Sequence, residues 1–276
     1  MKIAIHQMCS SVDQTANASN MVNAISQASR GGASFYFAPE MSVMLDRNRA
    51  RAQAVIATES ATPAVAALQK AAADARIWVH LGSLPVLHEA GDGRLANRTL
   101  VIDDQGQIRA RYDKMHLFDV ALSTGEVWRE SSAYRAGDEA VAVDTPIGLL
   151  GLTVCYDMRF PDLYSALSKA GVGTFAVPAA FTVPTGRAHW HALLRARAIE
   201  AEAFVIAAAQ SGVHEDGRST FGHSLVIDPW GEVLLDMGEG EGLGFAEIDL
   251  VKIEEVRTQI PVDANRRNIP PEVKRY

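Results

Sequence analysis

The chain has 276 residues, 48% of them hydrophobic, enough apolar material for one large or two ordinary globular domains. Lysine and arginine number 26 against 33 acidic residues, a net charge of −7, which lacks the basic surplus that a nucleic-acid partner demands. No apolar stretch has the length of a membrane span, so neither nucleic acid nor a membrane is expected as a partner.

In chain order, KIAI at 2–5 reads as a strand. The opening MKIAIHQMCSSVDQTA turns polar too soon to be a signal peptide. Asp13 to Arg30 reads as a helix with Met21, Val22 and Ile25 as its larger apolar residues. SFYFAP forms a second strand that ends at Glu40. Thr62-Pro63 ahead of AVAALQKAAADA is a helix start, a hydroxyl cap with proline in the first turn. IWVHLGSL is the third strand. RTLVID, DQGQIRARY, the apolar run to Val154, TFAVPAAF, FVIAAAQS, HSLVIDPWGEVLLD and GFAEID supply the rest, with DDQG and DPWG as turns between paired strands. Two long helices interrupt them, one after Pro161 and one from His189 to about Ala203. About a dozen strands against four or five helices, with no repeat and no linker, predict one domain over 1–276. The predicted class is α/β, with sheets stacked on one another and helices outside, in contrast to a doubly wound Rossmann sheet.

Several motifs are set aside by context. Gly171-Val-Gly173-Thr-Phe-Ala176 has dinucleotide spacing but follows a helix and opens a strand, the reverse of what phosphate binding needs. His189 and His191 stand two apart on a helix and face different directions, so they do not chelate one metal. Neither a metal nor any other cofactor is expected. Two cysteines, Cys9 and Cys155, exclude a disulfide framework and point to the cytosol, where the sequons at Asn17 and Asn97 carry no meaning.

The stretch GLLGLTVCYDMRFPDLYSAL, residues 148–167, poses the functional question. Cys155 sits where a buried strand gives way to a polar patch and a helix. It is either one more core cysteine or a nucleophile at the carboxyl end of a strand, where α/β proteins place ligands. A thiol there needs an activator, because its ordinary pKa leaves little thiolate at neutral pH. Glu40 is either a solvated strand cap or a general base. Lys114, in RYDKMHLFD, is either a surface lysine or an ammonium aimed at developing negative charge. Glu130, in VWRESSAYRAGD, reads by itself as a solvated loop residue.

FAPE, YDKMHLFDV, CYDMRFPDL, TGRAHWHALLRARAIE and FGHSLVIDPWGEVL, in that order and spacing, resemble the nitrilase superfamily of carbon–nitrogen hydrolases. Within it they are most similar to the amidase branch that holds deaminated glutathione amidase and ω-amidase. The resemblance implies a four-layer αββα sandwich that associates as a homodimer or larger homo-oligomer. It maps a Glu–Lys–Cys trio onto Glu40, Lys114 and Cys155, and a supporting glutamate onto Glu130. Substrate contacts fall on Tyr156, whose backbone N–H joins Lys114 at the oxyanion, on Arg159, suited to gripping a carboxylate, and on Phe181 and Thr185.

The implied reaction is hydrolysis of the terminal carboxamide of a small carboxylated substrate, deaminated glutathione or an α-keto acid ω-amide, to acid and ammonia through a cysteine thioester. An N-carbamoyl amino acid hydrolase, a non-catalytic binding member of the superfamily, and a Cys–His mechanism using His116 or His223 are the alternatives. Surface ion pairing of Arg159 with Asp157 or Asp162 is the bland reading of that arginine. Two departures stand out: LSTGEVWRE, between Lys114 and Glu130, and Arg187 in place of an expected proline.

Overall fold

Alternation along the first strand decides the layering. In β1 (Lys2–Gln7), Ile3 and Ile5 join one apolar cluster and Ala4, between them, joins another, as the period of two requires. The computed structural model describes every residue except 122–124, 126, 271, 273 and 276.

The first sheet also contains β2 (Phe35–Phe37), β3 (Trp78–His80), β4 (Leu84–Leu87), β5 (Leu95–Ile102) and β6 (Ile108–Asp113). A short hairpin follows, β7 (Asp119–Ala121) with β8 (Val127–Arg129). Next come β9 (Val141–Thr145), β10 (Gly148–Leu152), β11 (Thr174–Ala176) and β12 (Phe204–Ala207). A second hairpin, β13 (Ser211–Val213) with β14 (Ser219–Phe221), precedes β15 (Leu225–Ile227), β16 (Val233–Asp236) and β17 (Gly242–Glu247). The helices are α1 (Gln14–Arg30), α2 (Arg49–Gln53), α3 (Pro63–Ala75), α4 (Pro161–Lys169), α5 (Val183–Ala201), α6 (Val251–Gln259) and α7 (Val262–Asn265).

Sheet one runs β17, β1, β2, β3 and then β5, with β4 continuing along the β5 edge that β3 begins and β6 pairing with β5. Sheet two runs β16, β15, β12, β11, β10, β9. Each has a parallel centre, β1–β2–β3 in one and β10–β11–β12 in the other. Ile3, Ile5, Phe35 and Phe37 meet Leu150, Leu152, Phe175 and Val205 in one core between the sheets, and that core extends to Tyr164, Trp190 and Leu194 of α4 and α5. The opposite face of sheet one, with Ala4, Tyr36 and Val79, packs on Met21 and Ile25 of α1 and Leu68 of α3. Layers therefore follow as helix, sheet, sheet, helix, the αββα sandwich expected from the sequence.

Some local expectations need correction. Thr62 does sit at the N-cap of α3, but its hydroxyl bonds back to Thr58 O at 2.9 Å and caps nothing. IWVHLGSL is two strands, because Gly82 turns the chain at φ +82 and any Cβ there would stand 1.9 Å from Pro39 O. The apolar run before Cys155 leaves the strand at Leu152, although Thr153 N still bonds Ala176 O at 3.2 Å. Helix α6 went unread, since only Ile253 and Val256 of its nine residues are buried and its apolar face is thin. Asp13, at the predicted start of the helix, is the N-cap of α1 and accepts from Thr15 N at 2.8 Å. Both predicted turns form, with Asp103 and Asp228 each accepting two backbone N–H groups of its own turn.

Candidate active site

Four residues widely separated in sequence converge at the carboxyl ends of β2, β6 and β10. Glu40 lies three residues past β2, Lys114 one past β6 and Cys155 three past β10. Glu130 opens a single 3-10 turn, Glu130–Ser132, directly after β8. The close approach at Gly82 brings its backbone against Pro39, beside Glu40. Gly137 serves Lys114 likewise: its N–H donates to Lys114 O at 2.9 Å, and a Cβ there would stand 2.1 Å from Asp113 O.

Lys114 is 2% exposed. Its Nζ donates to Glu40 Oε1 at 2.9 Å and to Glu130 Oε2 at 2.9 Å, so one ammonium is gripped by two carboxylates. Asn97 Nδ2 bridges the same pair, at 3.0 Å to Glu40 Oε1 and 3.3 Å to Glu130 Oε1. Ala180 N donates to Glu40 Oε2 at 2.8 Å, and Phe118 N to Glu130 Oε2 at 2.6 Å. Every donor that fixes a carboxylate is thus itself held by a strand or strand end.

Cys155 opens a 3-10 turn, Cys155–Arg159, with φ +48. A non-glycine residue in that region is strained, and such strain persists only where the surroundings enforce it. Here Asp157, fully buried, does so. Its carboxylate accepts from Val154 N at 2.8 Å, Tyr112 OH at 2.7 Å and His116 N at 3.0 Å, and also meets His116 Nδ1 at 2.7 Å. Cys155 N donates to Pro178 O at 2.9 Å, tying the elbow to the neighbouring strand end.

Burial, and then the charge of Glu40, push the Cys155 thiol well above its ordinary range, with Lys114 opposing. Lys114 is also raised: burial favours the neutral amine, but Glu130 and Glu40 together outweigh it. Burial would raise Glu40, yet the charge and hydrogen bond of Lys114 hold it below its ordinary range. The resting site is therefore a neutral thiol beside a carboxylate and an ammonium, a nucleophile with its base already ionised.

These groups open on a cavity of about 530 Å³ that is also lined by Tyr156, Phe181 and Thr185. Arg159 stands behind that wall, its guanidinium 5.4 Å from the Phe181 ring and 5.9 Å from the Tyr156 ring, with Nη2 3.3 Å from His189 Nδ1. Among the described residues it has no carboxylate partner, so the pairing with Asp157 or Asp162 does not form there. Arg187 is exposed. Of LSTGEVWRE, residues 122–124 and 126 lie outside the described residues, while Trp128 and Arg129 line the cavity. The histidine alternatives are both engaged elsewhere, His116 with Asp157 and His223 with Asp236.

Reading the sequence missed Asn97, Asp157 and three arginines of the cavity lining, Arg47, Arg49 and Arg218. The available signal was Asn97 in the strand LANRTLVI, between apolar residues at both ends, where a buried amide needs partners.

The profile of the carbon-nitrogen hydrolase family matches residues 2–258. The nitrilase and fragile histidine triad fusion protein of Caenorhabditis elegans is 39% identical over 96% of this chain, which spans 60% of that longer protein. Its crystal structure superposes with a TM-score of 0.89, at 38% identity over 96% of this chain and 65% of that one. The deaminated glutathione amidase of Yersinia enterocolitica is 35% identical, covering 96% of this chain and 92% of its own length. A variant of the amidase from Nesterenkonia sp. AN1, with acrylamide added at its active-site cysteine, gives a TM-score of 0.79 at 25% identity over 96% of this chain and 99% of that one.

Proposed function

The chain belongs to the carbon-nitrogen hydrolase family, and from that premise we propose that it cleaves small carboxylated amides through a thioester on Cys155, with Glu40 as its base. It is an amidase of the nitrilase superfamily, a hydrolase of carbon–nitrogen bonds other than peptide bonds. The observation that carries the mechanism is the buried chain Glu40–Lys114–Glu130 beside a strained, neutral thiol.

Cys155 Sγ attacks the amide carbon while Glu40 takes the thiol proton. Lys114 Nζ balances the oxyanion, and its charge is worth far more in this dry setting than in water. Tyr156 N–H is the second donor, since a helix leaves its first N–H groups without acceptors. Collapse of the tetrahedral adduct breaks the carbon–nitrogen bond as Glu40 returns the proton to the departing nitrogen, leaving a thioester. Water, deprotonated by Glu40, then attacks that thioester, and the acid leaves with the thiol restored. Glu130 keeps Lys114 charged and in line.

Arg159, stacked behind Tyr156 and Phe181, favours the carboxylated end of the substrate through its charge rather than by direct contact, and Tyr156, Phe181 and Thr185 shape the pocket itself. The substrate class is an α-keto acid ω-amide or deaminated glutathione, the latter in keeping with the relatives' names. No helix among the described residues is long and apolar enough to cross a membrane. Our reading is of a single cytosolic domain over 1–276 that assembles as a homodimer or larger homo-oligomer and works without a cofactor.

The test is a panel of α-ketoglutaramate, α-ketosuccinamate, deaminated glutathione and N-carbamoyl amino acids, scored by kcat/KM from release of ammonia, of the amine of deaminated glutathione and of carbon dioxide. Preference for the first three supports the assignment. Carbon dioxide release from N-carbamoyl substrates at higher kcat/KM overturns it.

A further inference from the structure

Among the described residues, five non-glycine residues adopt positive φ: Met41, Arg76, Cys155, Glu202 and His223. Arg76 and Glu202 end helices α3 and α5, where a left-handed residue is the common stop. Met41 follows Glu40, and Cys155 is the nucleophile, so those two belong to the active site. His223, at φ +54 between β14 and β15, has no such explanation. Its backbone is pinned by His223 N donating to Gly238 O at 2.7 Å and Trp190 Nε1 donating to His223 O at 2.8 Å.

That conformation delivers the His223 ring to a cluster unconnected with the chemistry above. His223 Nδ1 lies 2.9 Å from Asp236 Oδ1 and 3.2 Å from Oδ2. His191 Nε2, from α5, lies 2.9 Å from Asp236 Oδ2. One nitrogen of each histidine and one carboxylate oxygen fall within 4.8 Å of one another. His189, two residues before His191 on the same helix, meets Arg159 instead. What sequence spacing could not show is that the fold brings two ligands from other elements to His191.

We propose that His191, His223 and Asp236 form a binding site for one zinc-type divalent cation. Two imidazoles and a carboxylate are a donor set that zinc accepts, with water in the fourth position. Tetrahedral zinc at its usual bond lengths sets neighbouring donor atoms about 3.3 Å apart, so modest side-chain rotations close the site. The side chains of His191, His223 and Asp236 are 39%, 23% and 34% exposed, which leaves a path for the ion and a place for the water. Neutral imidazoles need only move the proton to the other ring nitrogen, and that nitrogen then faces away from the metal.

Neighbouring groups hold the three side chains in place. Gly238 N donates to Asp236 Oδ1 at 2.9 Å, fixing the carboxylate. The Phe221 ring stacks on His223 at 4.5 Å and meets His191 edge-on at 6.2 Å, giving both imidazoles an apolar backing. Phe221 N also donates to Phe181 O at 3.0 Å. An ion here clamps α5 to β16 directly behind a wall of the substrate cavity.

The experiment uses the full chain, stripped with EDTA and titrated by calorimetry with zinc chloride and by absorbance with cobalt chloride. One zinc per chain is expected. Cobalt should give visible bands of a four-coordinate site without the sulfur-to-cobalt charge transfer that Cys9 or Cys155 would produce. His223→Ala and Asp236→Asn should each weaken zinc binding about a hundredfold or more. If either fails to fold, His191→Gln, on the exposed side of α5, must show the same loss. Absence of stoichiometric binding, a thiolate spectrum with cobalt, or unchanged affinity in these variants overturns the site, whatever the outcome for amide hydrolysis.

Discussion

Strands β5 and β6 carry two ion networks back to back. Asn97 and Lys114 face the cavity, while their chain neighbours Arg98 and Asp113 face the other way, as the two-residue period of a strand dictates. Arg98 donates to Asp113 at 2.7 Å, to Glu89 at 2.8 Å and to Glu59 at 3.2 Å. Lys114 donates to Glu40 and Glu130 at similar lengths, both 2.9 Å. Each is a buried cation held by carboxylates at short range. They differ in what lies beside them: a strained thiol and a cavity on one side, and on the other a guanidinium whose partners include Glu89, with its side chain 63% exposed. A buried ion pair is therefore no sign of chemistry until it has a nucleophile to act on and a space for a substrate.

Variants that remove one network and spare the other test that division. On the cavity side the largest effect belongs to Cys155→Ala, which should abolish turnover, a loss on the order of 10⁶ in kcat, with the melting temperature almost unmoved. Glu40→Gln keeps shape and loses the base, so kcat should fall by about 10² to 10⁴. Retention of most activity there would return the question to His116 or His223. Asn97→Ala frees Glu40 and Glu130 from their shared donor, and kcat should drop about tenfold to a hundredfold with KM little changed.

On the far side the balance reverses. Arg98→Met leaves Asp113 without its guanidinium partner, while Glu59 keeps Arg111 at 2.7 Å, and should cost about 3 kcal/mol of stability, read by urea denaturation, while kcat at a permissive temperature stays near wild type. Acid separates the networks by a smaller effect. Glu89 is held down to about 2, chiefly by its hydrogen bonds from Arg98. A carboxyl lowered on folding contributes stability that is complete above its ordinary value of 4.5 and disappears as pH falls toward 2. Arg98→Met should flatten that part of the stability profile, and Asn97→Ala should leave it in place.

The same strands explain how much of the molecule could be read in advance. Period-two alternation and turn aspartates are local signals, and they led to the right layers. Glu40, Lys114 and Cys155 stood out because each ends a strand, and the motifs resembling the nitrilase superfamily tied them together. Asn97 and Asp157 stayed hidden because their roles come from partners far along the chain, Asn97 bridging Glu40 and Glu130, and Asp157 holding Tyr112 and His116. The neighbours of His191 were hidden for the same reason: His223 and Asp236 reach it only through the pairing of β15 with β16 and the packing of α5. Arg159 was legible as a cation four residues past the thiol, but its stacking on Tyr156 and Phe181 was not.

The most direct test of the mechanism is the mass of the enzyme caught in mid-reaction. Mixed with α-ketoglutaramate, quenched in acid within the first turnovers and digested, the wild-type chain should yield a peptide containing Cys155 that is heavier by the acyl group and is lost on treatment with hydroxylamine. An enzyme that turns over the amide while the Cys155 peptide stays unmodified, and that keeps its activity as Cys155→Ala, would contradict the account.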